Sequence, residues 1–585
     1  MMSTAFVLAT ALLLGSPKVE INVNTEEGQS LSGVHVFRLT VTSDHPVSQV
    51  EFYVGSDLRE TDTSTPYEFM LDTLTEKDGA LQVSFAAYTT EGESAKKALN
   101  VRIDTQLSKG ADFNVNRGNE LLAVSKWDEA IQAGRTALLI DSNSNPARLV
   151  MARAYLGKGV LDQAQRYAED AIASNANFRE AKELLAAINL RRAFVTFNRG
   201  ENRQETLVAI QTAMKDAIEV RKQVLDEVVD SMGTPNDSNR MAYADAAIRA
   251  GRYSAAILAL TPAFRSTPED SAIANRLAYA QLRAMRLSDA AATLREHRRR
   301  TVPDAFGWML VAILEAHQGN NNASDEAVRE AVLSDAEDLG VQTGQAYLAL
   351  KRRQFGVLRQ LIASLARDES QRTEVQYYIS IASYALTEFE PSRQAFEAAV
   401  LSEPANSDMY VQRGNEALAL VAAGRLDAGE NEFQVKVAKA FYEAALTARP
   451  NAPDALTALA IVNVYDKKTA EGYRFAKAAV AASPGYPAGH YVLAMVASIR
   501  ESELRAAAEA IRTGATGGVL TSSQRQEMDG YLQTASAIGK EAADANRTAG
   551  ELDKTYLAGR VIPTKQDANQ YFLYHGRVPL LVPPK

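Results

Sequence analysis

The sequence predicts a multidomain chain: an N-terminal all-β sandwich followed by an all-α superhelical solenoid. Between residues 18 and 104, β-branched and aromatic residues nearly alternate in short runs broken by turn formers. Beyond Gln106 the texture changes to alanine and leucine, with apolar residues at helical spacing. That helical part also repeats itself at a fixed period, the mark of an array in which each unit buries its apolar face on its neighbours.

The β part carries six expected strands, Val19–Val23, Val34–Val41, Val50–Val54, Tyr67–Leu71, Leu81–Thr89 and Ala95–Ile103. Turn formers such as Thr42-Ser-Asp-His-Pro46 and Lys77-Asp-Gly79 separate them. So many short strands in so few residues is the pattern of a sandwich.

In the helical part, one reference position early in each second helix recurs every 34 residues. Ala130 and Ala164 form a first series, Ala256, Ala290, Ser324, Leu358 and Ser392 a second, and Ala438, Gly472 and Ala506 a third. Small residues sit 12 positions earlier at Ala244, Ala278, Ala312, Ala460 and Ala494. Prolines 268, 404, 450 and 484 close several units, 12 residues after the reference position. Two steps are irregular. Residues 177–235 replace regular repeats with two long helices that meet near Asn198-Arg-Gly200, and the step from Ser392 to Ala438 is 46, implying an extended hairpin around Gly424–Glu432. Each irregularity reads either as a bend or docking place or as a tolerated insertion. The expected layout is therefore repeats over 107–176, a long irregular hairpin over 177–235, repeats over 236–514, capping helices over 515–562 and an extended apolar tail over 563–585. Pro579, Pro583 and Pro584 keep that tail out of a helix. Such a tail folds back on its own solenoid or is offered to a partner.

Two resemblances follow. The 34-residue hairpins with their small-residue column resemble the tetratricopeptide repeat family. The run Val50-Glu-Phe-Tyr-Val54, Thr61-Asp-Thr63, Pro66-Tyr-Glu-Phe69 and later Phe85-Ala-Ala-Tyr88 resembles bacterial immunoglobulin-like domains. The second resemblance implies an exported or surface protein, since those domains serve there as spacers and adhesion modules. Residues 1–17 fit that expectation as a signal peptide: Ala5–Leu14 is an apolar run too short to span a bilayer. No Lys or Arg precedes it and no clean small-x-small cleavage site follows, so a greasy terminal segment packed on the first domain is the competing reading. The expected location is periplasmic or cell-surface, with the cytoplasm as the alternative.

Function classes narrow quickly. A net charge of -9 on 585 residues offers no basic stripe for nucleic acid. The absence of cysteine removes disulfides, thiolate metal sites and a cysteine nucleophile. Six scattered histidines form no i, i+3 or i, i+4 pair, and no phosphate-cradling loop or nucleophile elbow occurs. Neither catalytic nor metal-binding residues are assigned, and no cofactor is expected. The tetratricopeptide resemblance instead implies a concave groove lined by first helices. Projecting those helices gives Met241, Asp245, Arg249, Tyr279, Arg283, Tyr347, Lys351, Tyr377, Tyr384, Tyr465 and Tyr491, together with Asn275, Met309, His317, Ile381, Thr457, Ile461 and Met495. Tyrosine and arginine suit a protein or peptide partner, because they offer wide contact and directional donors. A register error of one residue would place half of these tyrosines in hairpin cores. The family's carboxylate clamp for chaperone tails is not expected, since its positions hold Val115, Asn119 and Val150. Two roles remain: an interaction scaffold of the bacterial cell envelope, or a self-assembling surface or filament subunit joined through the sandwich or the tail as a homo-oligomer.

Overall fold

The structure, a computed structural model, describes residues 19–369, 372–514, 519–553, 564–565, 572–573 and 577–584. The expected signal peptide lies outside the described residues, as does most of 554–576. The chain divides into two compact units, Met1–Ile188 and Asn189–Lys585.

Among the described residues the first unit opens with eight strands. A three-stranded sheet has the order β1 (Glu20–Val23), β3 (Val34–Thr42), β6 (Tyr67–Asp72). A five-stranded sheet has the order β2 (Ser30–Leu31), β8 (Ser94–Ile103), β7 (Gly79–Thr89), β4 (Val47–Val54), β5 (Asp57–Asp62). The alternation seen in the sequence becomes the sandwich core. Phe37 and Leu39 of β3, Phe52 of β4, Tyr67, Phe69 and Leu71 of β6, and Phe85 of β7 point inward and are buried. Phe37, Phe52 and Phe85 pack with ring centroids 5.2–5.5 Å apart, one pair stacked and the others tilted or edge-on, geometries aromatic rings favour. Two strands were not expected. β2 has two residues, and β5, Asp-Leu-Arg-Glu-Thr-Asp, is a polar edge strand exposed along nearly its whole length, so neither leaves a hydrophobic period to read. Four helices follow as two hairpins, α1 (Ala111–Ala123) with α2 (Trp127–Ile140) and α3 (Asn145–Lys158) with α4 (Leu161–Ser174). The start of α5 (Arg179–Arg199) packs Ala181, Leu184 and Ile188 against α3 and α4.

In the second unit α5 continues and turns into α6 (Arg203–Ser231), the two long helices expected around Asn198–Gly200. Hairpins then follow in register: α7 (Arg240–Arg249) with α8 (Tyr253–Ser266), α9 (Ser271–Arg283) with α10 (Leu287–Arg300), α11 (Ala305–His317) with α12 (Asn321–Ser334), α13 (Leu339–Lys351) with α14 (Phe355–Glu369), and α15 (Thr373–Ala385) with α16 (Phe389–Ser402). The longer pair α17 (Ser407–Ala422) and α18 (Ala428–Ala448) takes up the 46-residue step, and α19 (Pro453–Tyr465) with α20 (Thr469–Ala482) resumes the period.

The local physics of the repeat is visible in four columns. Reference residues from Ala130 to Ala438 are buried, and so is the whole small-residue column from Ala244 to Ala494. At Gly472 a Cβ would stand 2.9 Å from the Ala460 carbonyl oxygen, so that helix pair meets at backbone distance. Asp270, Asp304 and Asp338, again 34 apart, cap the N-termini of α9, α11 and α13 by accepting from main-chain N–H groups. Five residues before eight of the ten reference positions the chain turns through a left-handed residue: Ser125, Gly159, Gly251, Met285, Gly319, Arg353, Thr387 and Lys467 all have positive φ. Only three of these are glycine; the fixed hairpin geometry overrides the steric preference at the others.

The tenth expected hairpin is absent. α21 (Pro487–Thr513) runs unbroken through Ala506, which is exposed, and pairs with the capping helix α22 (Ser522–Leu552). The turn position falls on Glu501, within Ser-Ile-Arg-Glu-Ser-Glu-Leu, where nothing breaks a helix. Ion pairs Arg500–Glu503 and Arg505–Glu501 lie along the continuous helix surface instead.

The two irregular units meet. Phe197 of α5 stacks near Phe433 of α18, the Arg203 guanidinium lies 3.8 Å from that ring, and Arg203 pairs with Glu430 at 2.6 Å. Arg221 of α6 grips Glu403 at the end of α16 at 2.7 Å. Further along, Arg283 of α9 pairs with Asp408 of α17, and Ser483 after α20 donates to the Ala284 carbonyl. Within this unit the superhelix therefore closes on itself.

Candidate functional site

Closure of the second unit gives its concave face an enclosed character, and the C-terminal segment Arg577–Pro584 lies in it. A buried extended segment with no neighbouring strand must pair its main-chain groups with side chains. The first helices supply them. Tyr378 Oη donates to the Leu580 carbonyl at 2.8 Å, and Arg283 Nη1 to the Pro579 carbonyl at 2.8 Å. Tyr279 Oη donates to the Leu581 carbonyl at 2.9 Å and accepts from the Leu581 N–H at 3.2 Å. Thr343 Oγ1 accepts from the Val582 N–H at 3.1 Å. Tyr347 Oη donates to the Arg577 carbonyl at 3.1 Å, while His317 Nε2 lies 2.9 Å from the same hydroxyl. Val578, Leu580, Leu581 and Val582 are all buried, and Pro579 has no N–H to satisfy. Arg577 is the one residue of the segment whose side chain hydrogen-bonds here, giving Nη1 to Tyr377 Oη at 3.2 Å and Nε to the Leu573 carbonyl at 2.6 Å.

Electrostatics keep these groups in donor form. Burial raises the hydroxyl pKa of Tyr279, Tyr347, Tyr377 and Tyr378, so each stays protonated. Burial, reinforced by the Lys351 charge, holds His317 well below its ordinary value, so it is neutral. Arg283 is fixed by a bidentate pair with Asp408, at 3.1 and 2.6 Å, and by Tyr253 Oη at 3.0 Å from its Nε. Burial alone would raise the Asp408 carboxyl; the Arg283 charge and hydrogen bonds outweigh it and the net pKa is lowered. A cavity of about 660 Å³ adjoins the segment from Leu580 to Pro584, bounded by Asp245, Arg249, Glu374 and Arg449.

The sequence-predicted groove residues divide accordingly. Tyr279, Arg283, Tyr347 and Tyr377 touch the C-terminal segment. Asp245 pairs with Arg276 and, with Arg249, borders the cavity, while Met241 is half-buried on the same helix. Lys351 is buried, its pKa lowered by burial and raised by Asp553. Tyr465 carries the Lys565 ammonium 4.0 Å from its ring centroid. Tyr491 is buried, and Tyr384 is turned to α17, donating to the Glu416 carbonyl at 3.0 Å. The projection passed over Thr343, Tyr378, Arg276 and Asp408. Thr343 shares the 34-residue column of Asn275 and Tyr377, and Arg276 that of Tyr378, so the repeat register itself held the signal for those three.

Residues 17–93 match the bacterial Ig domain family, and residues 121–188 match the tetratricopeptide repeat family. The chain thus carries a bacterial immunoglobulin-like domain followed by tetratricopeptide repeats. No curated protein matches the chain. Among solved structures, yeast Tom70 is 12% identical, covering 74% of this chain and 96% of its own, with a TM-score of 0.31. Cut9–Hcn1 of the APC/C is 12% identical over 80% and 97%, with a TM-score of 0.36. Fibronectin(III)-like modules of Clostridium thermocellum CbhA are 25% identical over 14% and 94%, with a TM-score of 0.14. At these scores the structural likenesses carry no functional argument. Among the described residues no helix is long and apolar enough to cross a membrane.

Proposed function

We propose that this chain, a bacterial immunoglobulin-like domain joined to tetratricopeptide repeats, is a non-enzymatic protein–protein interaction scaffold of the bacterial cell envelope. The repeat family supports the scaffold role, and the immunoglobulin-like domain supports exposure outside the cytoplasm. The observation that carries the reading is the concave face itself: five side chains from three first helices, Tyr279, Arg283, Thr343, Tyr347 and Tyr378, bond to main-chain groups of an extended segment. A surface that pairs with main-chain groups is equipped to hold peptide.

Crosslinking capture from the native host with the full chain as bait tests the role. A partner enriched by the wild-type chain and lost with Arg283→Met supports it; capture no better than with the immunoglobulin-like domain alone sinks it. Mass determination of the mature N-terminus tests the location. A chain beginning near residue 18 in the envelope fraction is expected, and an intact chain confined to the cytoplasm would overturn that part.

A further inference from the structure

We propose that Arg577–Pro584 is a built-in stand-in for the partner: it occupies the site that a partner's extended, apolar, proline-containing segment enters, and the two exclude one another. The inference rests on the scaffold reading above and adds to it the class of partner and a means of control.

Recognition here is of a kind that another chain can satisfy. The bonds from Tyr279, Tyr378, Tyr347 and Arg283 go to carbonyl groups, which every peptide presents. What the face selects is shape and polarity: an extended backbone, apolar residues at the positions of Val578, Leu580, Leu581 and Val582, a residue without N–H at Pro579, and a cation at Arg577 facing Tyr377. Exclusion follows from occupancy, because the tail already takes up the hydrogen-bonding groups of Tyr279, Arg283, Thr343, Tyr347 and Tyr378 that an incoming backbone would need. The cavity of about 660 Å³ beside Leu580–Pro584 is where an incoming segment would first meet the site.

The stand-in is tethered. Residues 553–576 join it to α22, which ends at Leu552. A short tether gives an effective concentration on the order of millimolar, so a partner of ordinary peptide affinity competes poorly until the tail is released. The full chain is therefore closed to weak ligands and open to strong ones.

The test uses a fluorescent synthetic peptide of residues 577–585, Arg-Val-Pro-Leu-Leu-Val-Pro-Pro-Lys, read by anisotropy. A chain ending at residue 576 is expected to bind it saturably, and the full chain roughly 100-fold more weakly, the ratio of millimolar tether concentration to a dissociation constant of about 10 μM. The same peptide carrying Leu581→Asp is expected not to bind. Should the shortened chain lose its helical signal, full-length Leu581→Asp, in which a buried charge expels the tail, takes the same measurement. A folded variant of either kind that ignores the peptide overturns the proposal, as does a full chain that binds it equally well. Concentration-dependent dimers of the full chain that vanish on removing residues 577–585 also overturn it, by placing the tail in a second copy. Capture of a partner by a chain whose open groove ignores the peptide would leave the scaffold role standing and remove only this inference.

Discussion

Removing the Asp408 carboxylate is the perturbation whose size follows most directly from the structure. The Arg283 and Asp408 side chains are 3% and 5% exposed and joined by two hydrogen bonds, at 3.1 and 2.6 Å. They tie α9 to α17 across the closure, and Arg283 also holds the Pro579 carbonyl. Asp408→Ala would leave a guanidinium buried without its counter-charge, which costs about 3–5 kcal/mol. Replacing both partners by apolar residues, Arg283→Met with Asp408→Ala, removes the buried charge altogether and should cost much less than the sum of the two single changes. The assay is chemical denaturation of the full chain followed by helix circular dichroism, comparing the transition that carries the helical signal across the four proteins. The pH dependence has a fixed sign. Because the folded carboxyl titrates below its ordinary value of 3.8, its contribution is complete above that pH and is lost as pH falls through the lowered pKa. A cost below about 1 kcal/mol for Asp408→Ala, or a strictly additive cycle, would refute the claim that this pair closes the unit.

Three further predictions follow from neighbouring features. Gly340→Ala should destabilise the helical unit by about 1–3 kcal/mol in the same assay, because its Cβ would stand 2.2 Å from Phe306 Cδ2 in a packed helix pair. Arg203→Ala should cost less than about 1 kcal/mol at neutral pH, since both partners keep solvent access, 44% and 28%. Glu430 is held down to about 2, chiefly by its hydrogen bond from Arg203, so this small contribution is present above the ordinary carboxylate range near 4.5 and disappears as pH falls toward 2. In the sandwich, Phe52→Ala should cost about 3–5 kcal/mol by differential scanning calorimetry, because the ring is 1% exposed and stacks on both Phe69 and Phe85.

What the sequence made legible, and what it did not, divides along the range of the interactions. The inward residues of β3, β6 and β7 announce themselves by alternation, whereas β5 is a polar edge with no period. The 34-residue columns locate nine hairpins, because each depends on packing between immediate neighbours. The register runs on through Ala506 although the hairpin does not. Spacing records the packing column but not whether Glu501 actually turns. Tyr279, Tyr347 and Tyr377 are found by the same register, and Thr343 and Tyr378 could have been. Asp408 could not. Its pairing with Arg283 spans 125 residues and depends on the accumulated rotation of the superhelix, which no local pattern encodes. The two irregular units share that logic: the long α5–α6 hairpin and the lengthened α17–α18 hairpin are interruptions in sequence and complementary surfaces in space.

The central claim is that the concave face is filled by the chain's own C-terminal segment, and amide hydrogen exchange over residues 577–585 tests it most directly. Val578, Leu580, Leu581 and Val582 carry the informative amides, since prolines 579, 583 and 584 have none. The structure pairs Leu581 N–H with Tyr279 and Val582 N–H with Thr343. These two amides should exchange about 100-fold more slowly than in a free peptide, the ratio set by release of the tethered tail, and Thr343→Val should release Val582 first. Exchange of the whole segment at the rate of a free peptide would contradict the account.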